Sequence, residues 1–90
     1  MTEERFIEIM NSDEIECKLS ELHDCNVFVG LAIMRKYLPR AEIKGADHDI
    51  IYSMDVSEVV DAGITEEDAV RLKELNWMLD ETGEGLACFV

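Results

Sequence analysis

Apolar side chains recur at helical intervals in the first half of this chain and crowd into short unbroken runs in its last third. Phe6, Ile7 and Met10 follow Thr2-Glu3-Glu4, where a hydroxyl can cap a helix and two carboxylates meet the positive end of its dipole. This predicts a first helix over about residues 3–10. Asn11-Ser12-Asp13 forms a second capping cluster. Beyond it Ile15, Leu19 and Leu22 fall at i, i+4, i+7, with Glu14, Glu16, Lys18 and Glu21 on the other side. That pattern predicts an amphipathic helix, either continuous with the first or set off from it. After Asp24-Cys25-Asn26, nearly every position from Val27 to Leu38 is apolar except Arg35 and Lys36, and Pro39 follows. A helix is preferred here to a Val27-Phe28-Val29 strand, because the run spans three turns and ends in basic residues and a proline. An element apolar on all sides is expected at the buried centre of its domain.

Gly45-Ala46-Asp47 breaks the pattern, and His48-Asp49-Ile50-Ile51-Tyr52-Ser53 has the composition of a short strand. Val56, Val59 and Val60 are spaced for a single helical turn or an irregular packed segment. Thr65-Glu66-Glu67-Asp68 is a capping box in which Asp68 takes the reciprocal position and Ile64 can staple against Ala69. A helix over about residues 66–75 follows, with Ala69, Leu72 and Leu75 as its core stripe and Glu67 and Arg71 as an i, i+4 pair. Asn76 suits a left-handed terminator. Trp77-Met78-Leu79 and Leu86-Ala87-Cys88-Phe89-Val90 then read as a hairpin turning through residues 80–85, with Leu79 opposite Leu86. Such a register places Trp77, Leu79, Leu86, Cys88 and Val90 on one face and Met78, Ala87 and Phe89 on the other. Neither face is polar, so the second needs a cover: a helix, the strand at 48–53, or another copy of the chain.

The succession of elements predicts one α+β domain over residues 1–90, with N-terminal helices packed on a three-stranded, mainly antiparallel sheet. Residues 47–90, through His48-Asp49-Ile50-Ile51-Tyr52, Thr65-Glu66-Glu67-Asp68-Ala69, Leu72, Leu75, Trp77, Asp80 and Ala87-x-Phe89-Val90, resemble a set of small bacterial and phage-type proteins. Their tails share that strand, acidic helix and aromatic hairpin. Asn76 stands where a glycine is expected ahead of the tryptophan, and Leu86 where a second tryptophan is expected. The resemblance implies a fold and carries no activity with it.

Charge changes what the fold can meet. The chain has 21 acidic and eight basic residues in 90, a net −13. Residues 1–24 carry −6, residues 25–46 carry +3 and residues 47–90 carry −10. A field this negative repels nucleic acid and anionic membrane surfaces and favours a basic protein partner or none. The longest apolar stretch, Val27 to Met34, is far short of the roughly 20 residues of a membrane span. Cys17, Cys25 and Cys88 show no paired spacing and the N-terminus lacks a secretory pattern, so a reducing cytoplasmic setting is expected.

Chemistry is sparse. Asp47-His48-Asp49 invites a metal or acid/base reading, but neighbours on a strand point to opposite faces and do not converge on one ion unless the backbone turns there. Cys17, His23 and Cys25 lack the close spacing of a zinc site. Cys25 at a helix start invites a nucleophilic reading, yet a nucleophile needs a base beside it. Arg35, Lys36, Arg40 and Lys44 are expected to pair with the protein's own carboxylates. No catalytic set, cofactor loop or metal frame is recognised, and the chain is expected to work without enzymatic activity or a cofactor. Two roles remain. One is a protein-interaction module, with Trp77, Met78 and Phe89 or Glu66, Glu67 and Asp68 as contacts and a homodimer as one form of it. The other is an inhibitor that mimics nucleic acid, of the phage anti-restriction or anti-CRISPR type, with Glu66, Glu67, Asp68, Asp80, Glu81 and Glu84 as its charged ribbon.

Overall fold

Thr2 starts the first helix as its position suggests: its Oγ1 accepts from the Arg5 amide at 3.1 Å, and α1 runs Glu3–Met10. The computed structural model describes residues 1–18 and 25–89. Within them the order is α1, α2 (Asn26–Arg35), β1 (Gly45–Asp47), β2 (Ile50–Asp55), α3 (Val56–Asp61), α4 (Glu66–Glu74), β3 (Trp77–Leu79) and β4 (Gly85–Phe89). None of its helices is long and apolar enough to cross a membrane.

The expected sheet has to be enlarged from three strands to four, in the order β1-β2-β4-β3 and antiparallel throughout. The added strand is Gly45–Asp47, read above as a break. It returns onto β2 through a two-residue turn in which His48 takes a φ of 55°. Glycine and alanine have little strand preference and no Asn-Gly or Asp-Gly marks that turn, so propensity alone conceals the hairpin. Between Tyr52 and Asp55 the β2–β4 register shifts. That irregularity lets Ser53 and Met54, adjacent in sequence, both be buried. The β3–β4 register is the expected one: Trp77 opposite Cys88, Met78 opposite Ala87 and Leu79 opposite Leu86.

Two helix expectations are corrected. Residues 13–18 form turns and irregular chain instead of an amphipathic helix, and residues 19–24, with Leu19 and Leu22, lie outside the described residues. Ser12 caps locally, its Oγ accepting from the Glu14 amide, and the Lys18 amide donates to Glu74 O at 2.8 Å, tying this segment to the end of α4. The second correction concerns α2, which is shorter than the apolar run and has only one buried face, Gly30, Ile33 and Met34. Phe28, on its outer side, is 72% exposed. A domain of this size buries only roughly 60% of its unfolded surface, too little to wrap a helix on every side.

The core lies between the helices and one face of the sheet. Phe6, Ile9 and Met10 of α1, Ile33 and Met34 of α2, Val56 and Val59 of α3, and Ala69, Leu72 and Leu75 of α4 meet Ile51, Trp77, Leu86 and Cys88. Each large side chain buried there contributes about 1.5–3 kcal/mol. Trp77 is the pivot. It is fully buried, its Nε1 donates to Asn26 O at 3.0 Å, and a Cβ on Gly30 would lie only 2.0 Å from that nitrogen. Gly30 is therefore what lets α2 rest on the indole.

The short α3 is held by a reciprocal cap between Asp55 and Glu58. For α4, Thr65 Oγ1 accepts from the Asp68 amide at 3.1 Å, as its sequence predicts. Asp68 does not return the bond. Its carboxylate takes Lys36 Nζ at 2.6 Å and the Tyr37 hydroxyl, locking the end of α2 to the start of α4. The ion pairs of α4 run to Arg5, Lys36 and Lys18, and not between Glu67 and Arg71. Asn76 closes the helix at φ 67°, the left-handed conformation expected of it.

Candidate functional site

Because side chains alternate along a strand, the residues between those of the core face must point the other way. The register puts Gly45, Tyr52, Ala87 and Met78 in one row across the sheet, and Asp47, Ile50 and Phe89 in the next. Ile50, Tyr52 and Met78 are not among the half-buried side chains packed against the core cluster, and Ala87 lies outside that cluster. Ala87 is nonetheless buried, Ile50, Tyr52 and Met78 are half-buried, and Phe89 is 44% exposed. Ile50, Tyr52, Met78 and Ala87 line a shallow depression of about 340 Å³ whose border includes Asp80 and Glu81. An antiparallel sheet with one solvated face ordinarily shows polar residues there. This one shows aliphatic and aromatic side chains, of which Ile50, Tyr52 and Met78 stay half-buried and Phe89 exposed.

The border of this face is acidic. Residues 45–55 and 77–89, which hold all four strands and both hairpin turns, contain Asp47, Asp49, Asp55, Asp80, Glu81 and Glu84 and neither lysine nor arginine. Lys44, just before β1, is drawn to the helix side by Glu58 at 2.8 Å. Asp80 is fixed in the β3–β4 turn, its Oδ1 accepting from the amides of Thr82 at 3.0 Å and Gly83 at 3.1 Å and from the Thr82 hydroxyl. The Thr82 hydroxyl, together with the amides, holds its carboxyl below the usual range against a smaller effect of burial, so it stays ionised at neutral pH. Its Oδ2 would also lie 2.4 Å from a Cβ on residue 85, which is Gly85. The turn is consequently tight and its charge stationary.

The sequence-derived contact residues divide. Met78 and Phe89 lie on the open face, whereas Trp77 is sealed in the core and presents nothing to solvent. Glu66, Glu67 and the half-buried Asp68 form the first turn of α4, on a different element, and two of the three are already engaged: Glu66 by Arg5 and Asp68 by Lys36. Those contacts lower both carboxyl pKa values, through the Arg5 hydrogen bond at Glu66 and, at Asp68, through Lys36 and Tyr37 overcoming a larger opposing effect of burial. In the basic group, Lys36 and Lys44 pair with carboxylates and Arg35 Nε donates to Ala41 O at 2.7 Å. Ile50 and Tyr52 complete the open face and were not singled out from the sequence. Their signal was present, since Ile50 and Tyr52 alternate with Ile51 and Ser53 in one strand.

Little else gathers into a site. His48 occupies the β1–β2 turn with its side chain 91% exposed, 3.6 Å from Asp47. Cys17 and Cys25 are exposed, and Cys25 precedes α2 without capping it. Cys88 is buried, and that burial pushes its thiol up to about 11, so it remains protonated at neutral pH. Among the described residues, no group of three or more His, Cys, Asp or Glu side chains is arranged to hold a metal ion. A second apolar strip, exposed at Phe28 and Ala32 and half-buried at Leu31, runs along α2 and ends at Arg35 and Lys36.

Fold and surface together define a class: a two-layer α+β domain whose antiparallel sheet carries helices on one face and leaves an apolar face with acidic turns on the other. Comparison with protein-family models, with curated proteins and with solved structures gives no match for this chain.

Proposed function

We propose that this protein is a small non-enzymatic interaction module whose binding surface is the open face of its sheet, with Ile50, Tyr52, Met78 and Phe89 as the contacts. The supporting observation is the contrast within single strands: alternate residues enter a closed core on one side and, among the described residues, form an apolar surface only partly buried on the other. Contiguous apolar surface of this kind on a small domain marks a site of association. The rival role, a nucleic-acid-mimicking inhibitor, is less favoured, because mimicry needs unpaired carboxylates in a ribbon and Glu66 and Asp68 are matched by Arg5 and Lys36.

Affinity capture from the native host, repeated with a Met78→Ser/Phe89→Ser variant and a Phe28→Ser variant, tests this reading. A protein retained by the wild type and by Phe28→Ser but lost with the double variant supports it. Loss with Phe28→Ser alone would move the site to the outside of α2. Equal retention by all three forms would remove the open face from consideration.

A further inference from the structure

The open face has a direction. Its β1–β2 turn, with Asp47 and Asp49, lies at the end of the sheet where β4 finishes at Phe89. The β3–β4 turn, with Asp80 and Glu81, lies at the other end and on the opposite edge, since β1 and β3 are the two outer strands. The two acidic pairs therefore occupy diagonally opposite corners, and Ile50, Tyr52, Ala87 and Met78 fill the space between them. Three inter-strand gaps of about 4.8 Å make the face about 14 Å wide, and about four residues of strand rise give a similar height, so the diagonal is about 20 Å. A helix rises about 1.5 Å per residue and is about 10 Å across, so about 13 residues of one helix span that diagonal and cover the face.

Resting on the assignment of the open face as the binding surface, we propose that its occupant is a cationic amphipathic helix. Its apolar stripe lies on Ile50, Tyr52, Met78 and Phe89, and lysines or arginines near its two ends meet Asp47/Asp49 and Asp80/Glu81. Charge complementarity selects this occupant over a second copy. An isologous dimer would bring together two sheets that carry six carboxylates each and no lysine or arginine, in chains of net −13. A helix is the element that ordinarily covers a sheet face, and an apolar stripe at i, i+3, i+4, i+7 is how it does so.

The test titrates full-length protein labelled with ¹⁵N with three helical Ala/Leu peptides of about 16 residues, ended by lysine, glutamine or glutamate pairs. Amide shifts locate each contact, and a dilution series of the protein alone reads self-association. The lysine-ended peptide is expected to move the amides of Ile50, Tyr52, Met78, Ala87 and Phe89. Asp47→Asn/Glu81→Gln is expected to weaken it by about three- to tenfold at low salt, an effect that fades as salt rises. Asp80 is left intact because it holds the turn. If the glutamine-ended peptide binds the same amides equally well, the cationic assignment is overturned while the open face stands. If those amides respond instead to the protein's own concentration, the occupant is a second copy and the proposal is again overturned with the face intact. Shifts confined to other surfaces, or none from any peptide, would overturn both the occupant and the face.

Discussion

The two faces of the sheet are built from the same strands and nearly the same side-chain types, yet they do different physical work. On the helix side Ile51, Trp77, Leu86 and Cys88 are buried by four helices, while on the open side Ile50, Tyr52, Met78 and Phe89 keep part of their surface in water. Hydrophobicity alone cannot distinguish these sets. Only register and the placement of the helices do, and so residues that stabilise the fold alternate one by one with residues available to a partner. A substitution on the first set should be felt in folding, and the same kind of substitution on the second in binding.

Trp77→Ala should give the largest effect of this contrast. Truncating a buried tryptophan costs about 3–5 kcal/mol, and this one also donates to Asn26 O and forms the seat of Gly30 on α2. Against a total stability of about 5–15 kcal/mol for a domain, the variant should lose a large share of its stability and unfold at a much lower urea concentration. Urea denaturation followed by circular dichroism measures it. A midpoint near that of the wild type would show that the helices hold together without the indole, and the proposed division between the faces would fail on its structural side.

How far these roles could be read beforehand depended on whether the deciding interaction was local. Thr65 and its helix, the left-handed Asn76 and the Leu79–Leu86 register are set by neighbours a few residues away, and all were legible. Strand β1 was not, because Gly45-Ala46-Asp47 has no strand preference of its own and is strand only by pairing with β2. Asn11-Ser12-Asp13 presents the same capping residues as a true helix start, but the tie from Lys18 to Glu74 takes the chain elsewhere. The open face was half legible. Met78, Ala87 and Phe89 followed from the hairpin, and alternation put Ile50 and Tyr52 on one side of their strand, but the β2–β4 register that brings the two sets together pairs positions nearly 40 apart and no local pattern encodes it.

A smaller effect is expected where the helix layer is tied together by charge. Asp68 has its pKa depressed overall: burial pushes upward, and hydrogen bonds from Lys36 and Tyr37 prevail. A depressed folded-state pKa means stability that is fully present above the unfolded aspartate value of about 3.9 and lost as pH falls through the lower folded value. Asp68→Asn should therefore lower the urea midpoint at pH 7 and at pH 5, with the difference from wild type shrinking below about pH 4. General relief of repulsion on acidification acts on both proteins and cancels in the difference. A gap that stays constant from pH 7 to pH 3 would mean that the shape of the side chain, and not its charge, joins α2 to α4.

The smallest stability change is expected on the open face, and it is the one that sharpens the comparison most. Phe89 is the most exposed of its residues, 44% open to solvent, and it is not a member of the core cluster. Substitutions at such positions usually stay within about 0.5 kcal/mol, so Phe89→Ser should leave the urea midpoint nearly unchanged. Its alternation with Cys88 makes the control direct, since one position along the same strand the side chain is fully buried. If Phe89→Ser instead destabilised the protein by 2 kcal/mol or so, in the range of a core truncation, the face would be structural, held by cover within the chain itself. Conserved stability together with lost partner binding would place Phe89 among the residues this protein keeps apolar for association, because nothing in its own fold would then require an aromatic ring there.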